Sequence, residues 1–369
     1  MRVALDARAL SSPTPTGVER YVVELVRALA RLDDCPQVIA YTDRPVADSN
    51  VQSGAMRVQV LRARRGWLRL AFPWRLWRDR ADLVHLPSTV LPPFLPCPAV
   101  VTVHDLAFRH CPETYAPDDL AMQFRALSRV TRAAHVIAVS QSTTRDLMEA
   151  TGLAQDRISV IPLGVSPAFR PDGPALSPDA FPGADRVRGG CLLHTGGLHP
   201  RKNLSRLLDA CAEIRKTMAV PPLMIAGNVA TQWGREVVAE TAERGLSDDV
   251  IFPGHVGDAI LPALYRAATV AVYPSLYEGF GLPILEAMAS GTPVITSNRS
   301  SMAEVAGDAA VLVNPESVED LAGALRRVLT DEQLRQDLRA RGLARSRQFT
   351  WERTARETVA VYRRFARAS

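Results

Sequence analysis

The sequence predicts an α/β fold: two Rossmann-like, doubly wound parallel-sheet domains facing each other across a cleft. Three observations predict it. Short apolar, β-branched runs alternate with longer amphipathic runs; the alternation comes as two series; and a proline-bearing stretch at 166–188 parts them. Alternating β and α elements with nearly continuous apolar strands imply parallel sheets covered on both faces. At 369 residues the chain exceeds what one domain normally holds.

In the first series, strands are expected at 1–6, 38–41, 58–61, 83–85, 100–104, 136–140 and 160–163. In the second they are expected at 191–196, 223–226, 250–253, 270–274, 293–296 and 310–313, with helices between most of them. The stretch 166–188 carries Pro167, Pro171, Pro174, Pro178, Pro182, Gly173 and Gly183. Proline removes backbone donors and glycine loosens the chain, so it reads as a linker between domains 1–165 and 189–349. The tail 350–369 is helical by composition, with Trp351, Val359, Tyr362 and Phe365 near one face. It is expected to pack back on the first domain. Doubly wound sheets bind ligands at the carboxyl ends of their strands.

The net charge of +5 fits a protein that handles anionic ligands or touches anionic lipid, and is too small to argue for nucleic acid. Five cysteines without a CxxC read as reduced thiols of a cytosolic protein. Asp6 and Arg8 break the first apolar run too early for a secretory signal, and no window approaches a membrane span. A cytoplasmic location is expected.

The densest chemical signal is Ser275–Glu286, which follows a predicted strand. Gly279 and Gly281 allow a tight turn and close approach to a ligand, Pro283 suits a first helical turn, and Gly291 suits the helix end. The free N–H groups of that helix face an anion site. A phosphate repels carboxylates, so Glu278 and Glu286 are expected to bind hydroxyls flanking it. A solvated pair of glutamates is the plain alternative, which the strand, glycine, proline and helix around them disfavour.

With these residues the sequence resembles the family-4 retaining glycosyltransferases, also called glycosyl transferases group 1, which share the two-domain GT-B architecture. Glu278 and Glu286 match their E-x7-E motif. The resemblance implies that Glu286 holds the donor ribose and that Glu278 sits beside the donor sugar. It implies that backbone around Gly279, Phe280, Gly281 and Leu282 contacts sugar hydroxyls and phosphate. It assigns the acceptor to the first domain and the nucleotide sugar to the second.

A second signal runs from His194 to Asn203. Arg201 and Lys202 stand at a predicted helix start, where cations oppose the helix dipole and gain little locally. A diphosphate rewards both, and similar family members use such a pair as the pyrophosphate clamp. The further Arg that the family often carries after this strand is replaced here by Thr195-Gly196-Gly197, and Asn203 stands where a Gly is frequent.

Two looser signals lie in the first half. Thr14-Pro15-Thr16-Gly17 precedes a predicted helix over 18–32, with Thr16 as a cap and Gly17 bringing N–H groups close to a phosphate. This is similar to the family's first glycine loop. His104 and Asp105 end a predicted strand. The family carries a histidine here, so His104 is expected to bind a sugar hydroxyl or to donate to charge developing on the diphosphate. Asp105 is expected to orient it or to meet the acceptor. Asn228 and Val256, with Gly227, Gly254 and His255, lie at strand ends where the family places the base.

The expected reaction moves a sugar from a nucleoside diphosphate to an acceptor hydroxyl with retention. No carboxylate is legible behind the anomeric carbon for a double displacement, so same-face attack is expected, with the departing phosphate taking the acceptor proton. No metal and no cofactor are expected, and no isolated Asp-x-Asp follows a strand. The wording of the motifs is similar to mannosyltransferases of surface-polysaccharide pathways, which makes GDP-mannose the first donor and a UDP-sugar the second. The acceptor is expected to be a saccharide or lipid-linked. A GT-B epimerase and a non-catalytic nucleotide-sugar-binding subunit are the rivals. Finally, 62–80 interleaves seven arginines with Trp67, Phe72, Trp74 and Trp77. That suits peripheral contact with an anionic membrane, although a first-domain helix must also bury some of these rings.

Overall fold

The structure, a computed structural model, describes residues 1–12, 17–46, 51, 54–63 and 66–366. Thr14, Pro15 and Thr16 of the first glycine loop, Arg64 and Arg65, and 367–369 at the end of the tail lie outside the described residues. The chain divides into two compact units: Met1–Gly164 with Thr350–Ser369, and Val165–Phe349.

The first unit holds β1 (Arg2–Asp6), β2 (Gln37–Thr42), β3 (Met56–Val60), β4 (Leu83–Leu86), β5 (Ala99–Val103), β6 (His135–Ala138) and β7 (Ile158–Val160). They form one sheet in the order β3-β2-β1-β4-β5-β6-β7, parallel at every pairing. Helices α1 (Gly17–Ala30), α2 (Phe72–Arg78), α3 (Ala107–His110), α4 (Pro117–Val130) and α5 (Gln141–Thr151) connect them. β4, β5 and β6 are buried along their whole length, as strands covered on both faces must be. The strand expected at 136–140 stops at Ala138, because Ser140 turns to accept a hydrogen bond from Thr143 N and caps α5.

The second unit holds β8 (Leu192–Thr195), β9 (Leu223–Ala226), β10 (Val250–Gly254), β11 (Val270–Tyr273), β12 (Val294–Ser297) and β13 (Val311–Val313). Their order is β10-β9-β8-β11-β12-β13, again parallel throughout. Around them lie α6 (Leu204–Arg215), α7 (Gln232–Glu243), α8 (Leu261–Ala267), α9 (Leu282–Ala289), α10 (Ser300–Ala306), α11 (Val318–Thr330) and α12 (Glu332–Ser346). Two doubly wound parallel sheets are thus present, as the sequence predicts. In each, the winding reverses beside the first strand: between β1 and β4, and between β8 and β11. Loops leaving the carboxyl ends at such a point splay apart and leave room for a ligand.

The stretch 166–188 is not a bare linker. It belongs to the second unit, where Phe169, Ala184 and Val187 are buried. Phe169 packs edge-on against Tyr265 at 5.6 Å, and Arg266 Nη2 donates to Pro174 O at 2.7 Å. Its only regular element among the described residues is a single helical turn at Ala184–Val187, yet its apolar side chains still find a surface to cover.

The last helix, α13 (Trp351–Phe365), belongs to the first unit. It buries Trp351, Val359 and Tyr362, while Phe365 stacks on His135 at 4.2 Å. Gly164 permits the close approach, since a Cβ there would lie 2.2 Å from Trp351 N. Among the described residues no helix is long and apolar enough to cross a membrane.

Candidate functional site

At the reversal point of the second unit, the loops after β8 and β11 bring three charged side chains together. After Thr195 the chain passes Gly196 and Gly197 and makes a single turn at Pro200–Lys202. Asn203 then adopts a left-handed conformation, φ 61°, which only Gly and Asn take at small cost. This explains physically why Asn can stand where relatives place Gly. Its side-chain amide also donates to Pro274 O at 3.0 Å and Pro315 O at 2.6 Å, tying the turn to the loops after β11 and β13.

The turn aims Arg201 and Lys202 at Glu278. Arg201 Nη1 lies 2.7 Å from Glu278 Oε2 and also donates to Tyr277 O at 3.0 Å. Lys202 Nζ donates to Glu278 Oε1, which Ser275 Oγ also reaches at 2.9 Å. Burial pushes the Glu278 carboxyl up, but the charges and hydrogen bonds of Lys202 and Arg201 outweigh it and hold the group well below the usual carboxylate range. Glu278 is therefore an anion with two cations around it. The sequence implies ligand hydroxyls as its partners; in this structure it accepts from the Ser275 hydroxyl and from the two cations that the resemblance assigns to the diphosphate.

The backbone of the 278–281 loop is held from α10. Ser300 Oγ accepts from Glu278 N at 3.1 Å, and Ser301 Oγ donates to Glu278 O at 2.7 Å and Phe280 O at 2.9 Å. Sequence reasoning missed both serines; the signal was a Ser-Ser pair opening a helix after β12. Phe280 is buried and meets Phe349 edge-on at 6.0 Å. Gly281, φ 107°, turns the chain into α9, which opens with Leu282 and Pro283. Gly279 precedes it in the same loop.

Glu286 lies in the second turn of α9, only 5% exposed, so it is no surface residue. Its Oε2 accepts from Tyr265 OH at 3.0 Å. Tyr265 OH in turn meets Thr195 Oγ1 at 2.7 Å and Tyr273 OH at 3.1 Å, and Thr195 meets Tyr273 at 2.9 Å. Thr195 ends β8 and Tyr273 ends β11, so this cluster sits under the same reversal point. Asn228 and Val256 follow β9 and β10. Asn228 Oδ1 accepts from Ala230 N at 2.9 Å, and Val256 is buried. Gly227 lets two loops touch: a Cβ there would lie 2.4 Å from Gly196 O.

In the first unit, Gly17 opens α1, and among the described residues nothing lies within 4 Å of a Cβ built on it. One turn on, Tyr21 packs edge-on against His104 at 4.8 Å, so α1 and the end of β5 converge. His104 Nε2 lies 3.1 Å from Pro87 O. Burial lowers the imidazole to about 4, against weaker opposing effects of Pro87 and Asp105. The ring is neutral near pH 7, with its proton on Nε2 and a lone pair on Nδ1. Asp105 Oδ1 accepts from Ala107 N at 3.0 Å, turning the chain into α3.

The 62–80 stretch divides its rings. Trp67 and Phe72 stack at 4.6 Å and are buried. Leu70, Trp74 and Trp77 are 73%, 52% and 69% exposed, on a segment that also carries Arg69, Arg75 and Arg78. Among the described residues no group of three His, Cys, Asp or Glu side chains is placed to hold a metal ion.

Two family models match the chain: "Glycosyl transferases group 1" over 187–345 and "Glycosyltransferase Family 4" over 15–169. The chain is 33% identical to the O-antigen chain mannosyltransferase B of Escherichia coli, with 98% of this chain and all of that protein covered. Among solved structures it is similar to a sucrose-phosphate synthase from Thermosynechococcus elongatus, at 22% identity and a TM-score of 0.79, covering 99% and 98% of the two chains. It is also similar to HepE from Anabaena, solved with UDP-glucose, at 20% identity and a TM-score of 0.73, covering 98% and 99%. At these identities the structural likenesses speak to the fold, which is GT-B.

Proposed function

The chain belongs to the glycosyl transferases group 1 and is a glycosyltransferase, and we propose that it transfers mannose from GDP-mannose to an acceptor hydroxyl in polysaccharide synthesis. The observation that carries the reading is the meeting of Arg201, Lys202 and Glu278 at the β8–β11 reversal point, above the buried Glu286. The 33% identity to an O-antigen mannosyltransferase supports the donor sugar.

In this reading Arg201 and Lys202 take the diphosphate, and the N-terminus of α9 adds backbone donors. Glu286 accepts from ribose hydroxyls, and Glu278 and the backbone at 279–282 meet the sugar. The backbone at Gly227, Asn228 and Val256 meets the base. Gly17 admits a phosphate to the start of α1, and the Nδ1 lone pair of His104 accepts from a sugar hydroxyl.

The bond from the anomeric carbon to the diphosphate breaks while a bond to the acceptor oxygen forms on the same face. The acceptor proton passes to the departing phosphate oxygen, so configuration is retained and a nucleoside diphosphate leaves. Catalysis then rests on stabilising that leaving group and on positioning two substrates. The cations make a resident metal unnecessary. Asp105 lies on the acceptor side, and the acceptor is a saccharide or a lipid-linked saccharide. Exposed Trp74 and Trp77 among arginines suit peripheral contact with an anionic membrane on its cytoplasmic face.

The test is a thermal-shift panel of GDP-, UDP- and dTDP-linked sugars, because a ligand of the native state raises stability by mass action. The expected result is the largest shift with GDP-mannose, followed by formation of an α-mannoside with a saccharide acceptor. A larger shift with UDP-glucose would replace the donor. Epimerised nucleotide sugar without acceptor would replace the reaction.

A further inference from the structure

Glu286 is a flexible carboxylate under a strict geometric demand, because a pair of vicinal ribose hydroxyls must meet its oxygens in one plane. The terminal torsion of a glutamate is broad and nearly two-fold, so the side chain alone does not define that plane. The residues beneath it do.

One hydroxyl meets the carboxylate directly, and two more meet that hydroxyl. Tyr265 stands on α8, Thr195 at the end of β8 and Tyr273 at the end of β11, and all three are buried. Four contacts of 2.7–3.1 Å join them to one another and to Glu286. In the Tyr265–Glu286 contact the Tyr265 hydroxyl donates to Glu286 Oε2. The phenol oxygen must then accept from Thr195 or Tyr273, which fixes the direction in which the hydroxyl points. Buried phenols hydrogen-bonded on both sides do not rotate freely, because each lost contact leaves a polar group unpaired. Burial also keeps the Tyr265 phenol well above its usual titration range, so it stays a donor.

We propose that Tyr265, itself oriented by Thr195 and Tyr273, is a positioning residue that sets the carboxylate plane of Glu286 for the donor ribose. The inference rests on the reading that Glu286 takes ribose hydroxyls. It adds that the discrimination between ribose and deoxyribose belongs to the four-residue cluster and not to Glu286 alone.

The experiment measures the dissociation constants of GDP, 2′-deoxy-GDP and 3′-deoxy-GDP by calorimetry for the full chain, Tyr265→Phe, Tyr273→Phe and Glu286→Gln. A positioning role predicts that the full chain prefers GDP by about tenfold or more, the scale of one hydrogen bond to a charged group. Tyr265→Phe is expected to lose most of that preference while deoxy-GDP binding hardly changes. Tyr273→Phe is expected to fall between the two. Equal preference in the full chain and both phenylalanine variants overturns the inference and leaves the Glu286 reading standing. No preference in the full chain overturns the Glu286 reading itself. Should Tyr265→Phe fail to fold, Tyr273→Phe carries the same comparison, since it removes one of the hydroxyls that orient Tyr265 and leaves the Glu286 contact in place.

Discussion

Arg201 Nη1 lies 2.7 Å from Glu278 Oε2, and the neighbouring Lys202 reaches the other oxygen of the same carboxylate. One anion thus engages both cations that the proposed function assigns to the diphosphate. In that proposal, nucleotide and Glu278 compete for the same positive charge. Glu278→Gln removes the competing charge and keeps the side-chain shape. The expected result is tighter binding of GDP by calorimetry, together with a kcat lowered by about 10²-fold, the scale of one lost group at a reacting centre. Weaker GDP binding in this variant would show that the pairing organises the clamp and does not oppose the ligand.

The β8–β11 site was legible from sequence to the extent that local chemistry writes it. Gly281 needs a positive φ, Pro283 needs a first helical turn, and Arg201 with Lys202 has no local reason to open a helix, so each advertised a ligand. What sequence does not carry is which side chains meet across the fold. The pairing of Glu278 with Arg201 spans 77 positions, and the support from Ser301 spans 23. Thr195, Tyr265 and Tyr273 read as ordinary strand and helix residues until three elements converge on Glu286. At 166–188 the prolines read as a linker, and regular structure is limited to one helical turn at Ala184–Val187. The prolines say nothing about whether Phe169 and Val187 pack, and burial decided that.

Four histidines predict acid sensitivity. Burial lowers His104, His135 and His194 to about 4 and His85 to about 3. In the unfolded chain each titrates near 6.5, so between roughly pH 6.5 and 4 the unfolded state binds more protons than the native state. Stability is therefore complete above that window and is lost as pH falls through it, by up to about 1.4 kcal/mol per pH unit for each group. Denaturant midpoints measured at pH 7.5, 6 and 5 should fall progressively, and His104→Asn should flatten the decline. A midpoint that holds steady to pH 5 would mean these rings are protonated in place.

Chelation tests the claim that side chains neutralise the leaving group. With Arg201 and Lys202 supplying the charge, transfer from GDP-mannose should persist after exhaustive treatment with EDTA, and added Mg²⁺ or Mn²⁺ should not raise kcat. The same assay on Lys202→Ala should show a large loss of kcat/KM that neither ion restores. Loss of activity on chelation, recovered with Mn²⁺, would move the charge neutralisation from Lys202 to a metal.

The proposed membrane contact is motivated by how α2 and the turn before it divide their rings. Trp67 and Phe72 are spent on the core, whereas Leu70, Trp74 and Trp77 remain exposed beside arginines. Tryptophan at an interface gains from burying its ring in the headgroup region, and each nearby cation adds about 1 kcal/mol on an anionic surface. The expected outcome is sedimentation with vesicles rich in phosphatidylglycerol and little with pure phosphatidylcholine, weakening as salt rises. The double variant Trp74→Ser, Trp77→Ser should lose the apolar part and leave a weaker, wholly salt-sensitive association. Its activity on a soluble acceptor should be unaffected, because neither ring belongs to the loops of the second unit that the proposal assigns to the donor. Equal sedimentation with neutral and anionic vesicles would remove the electrostatic half of the argument. Equal sedimentation of the variant and the natural chain would remove the tryptophans.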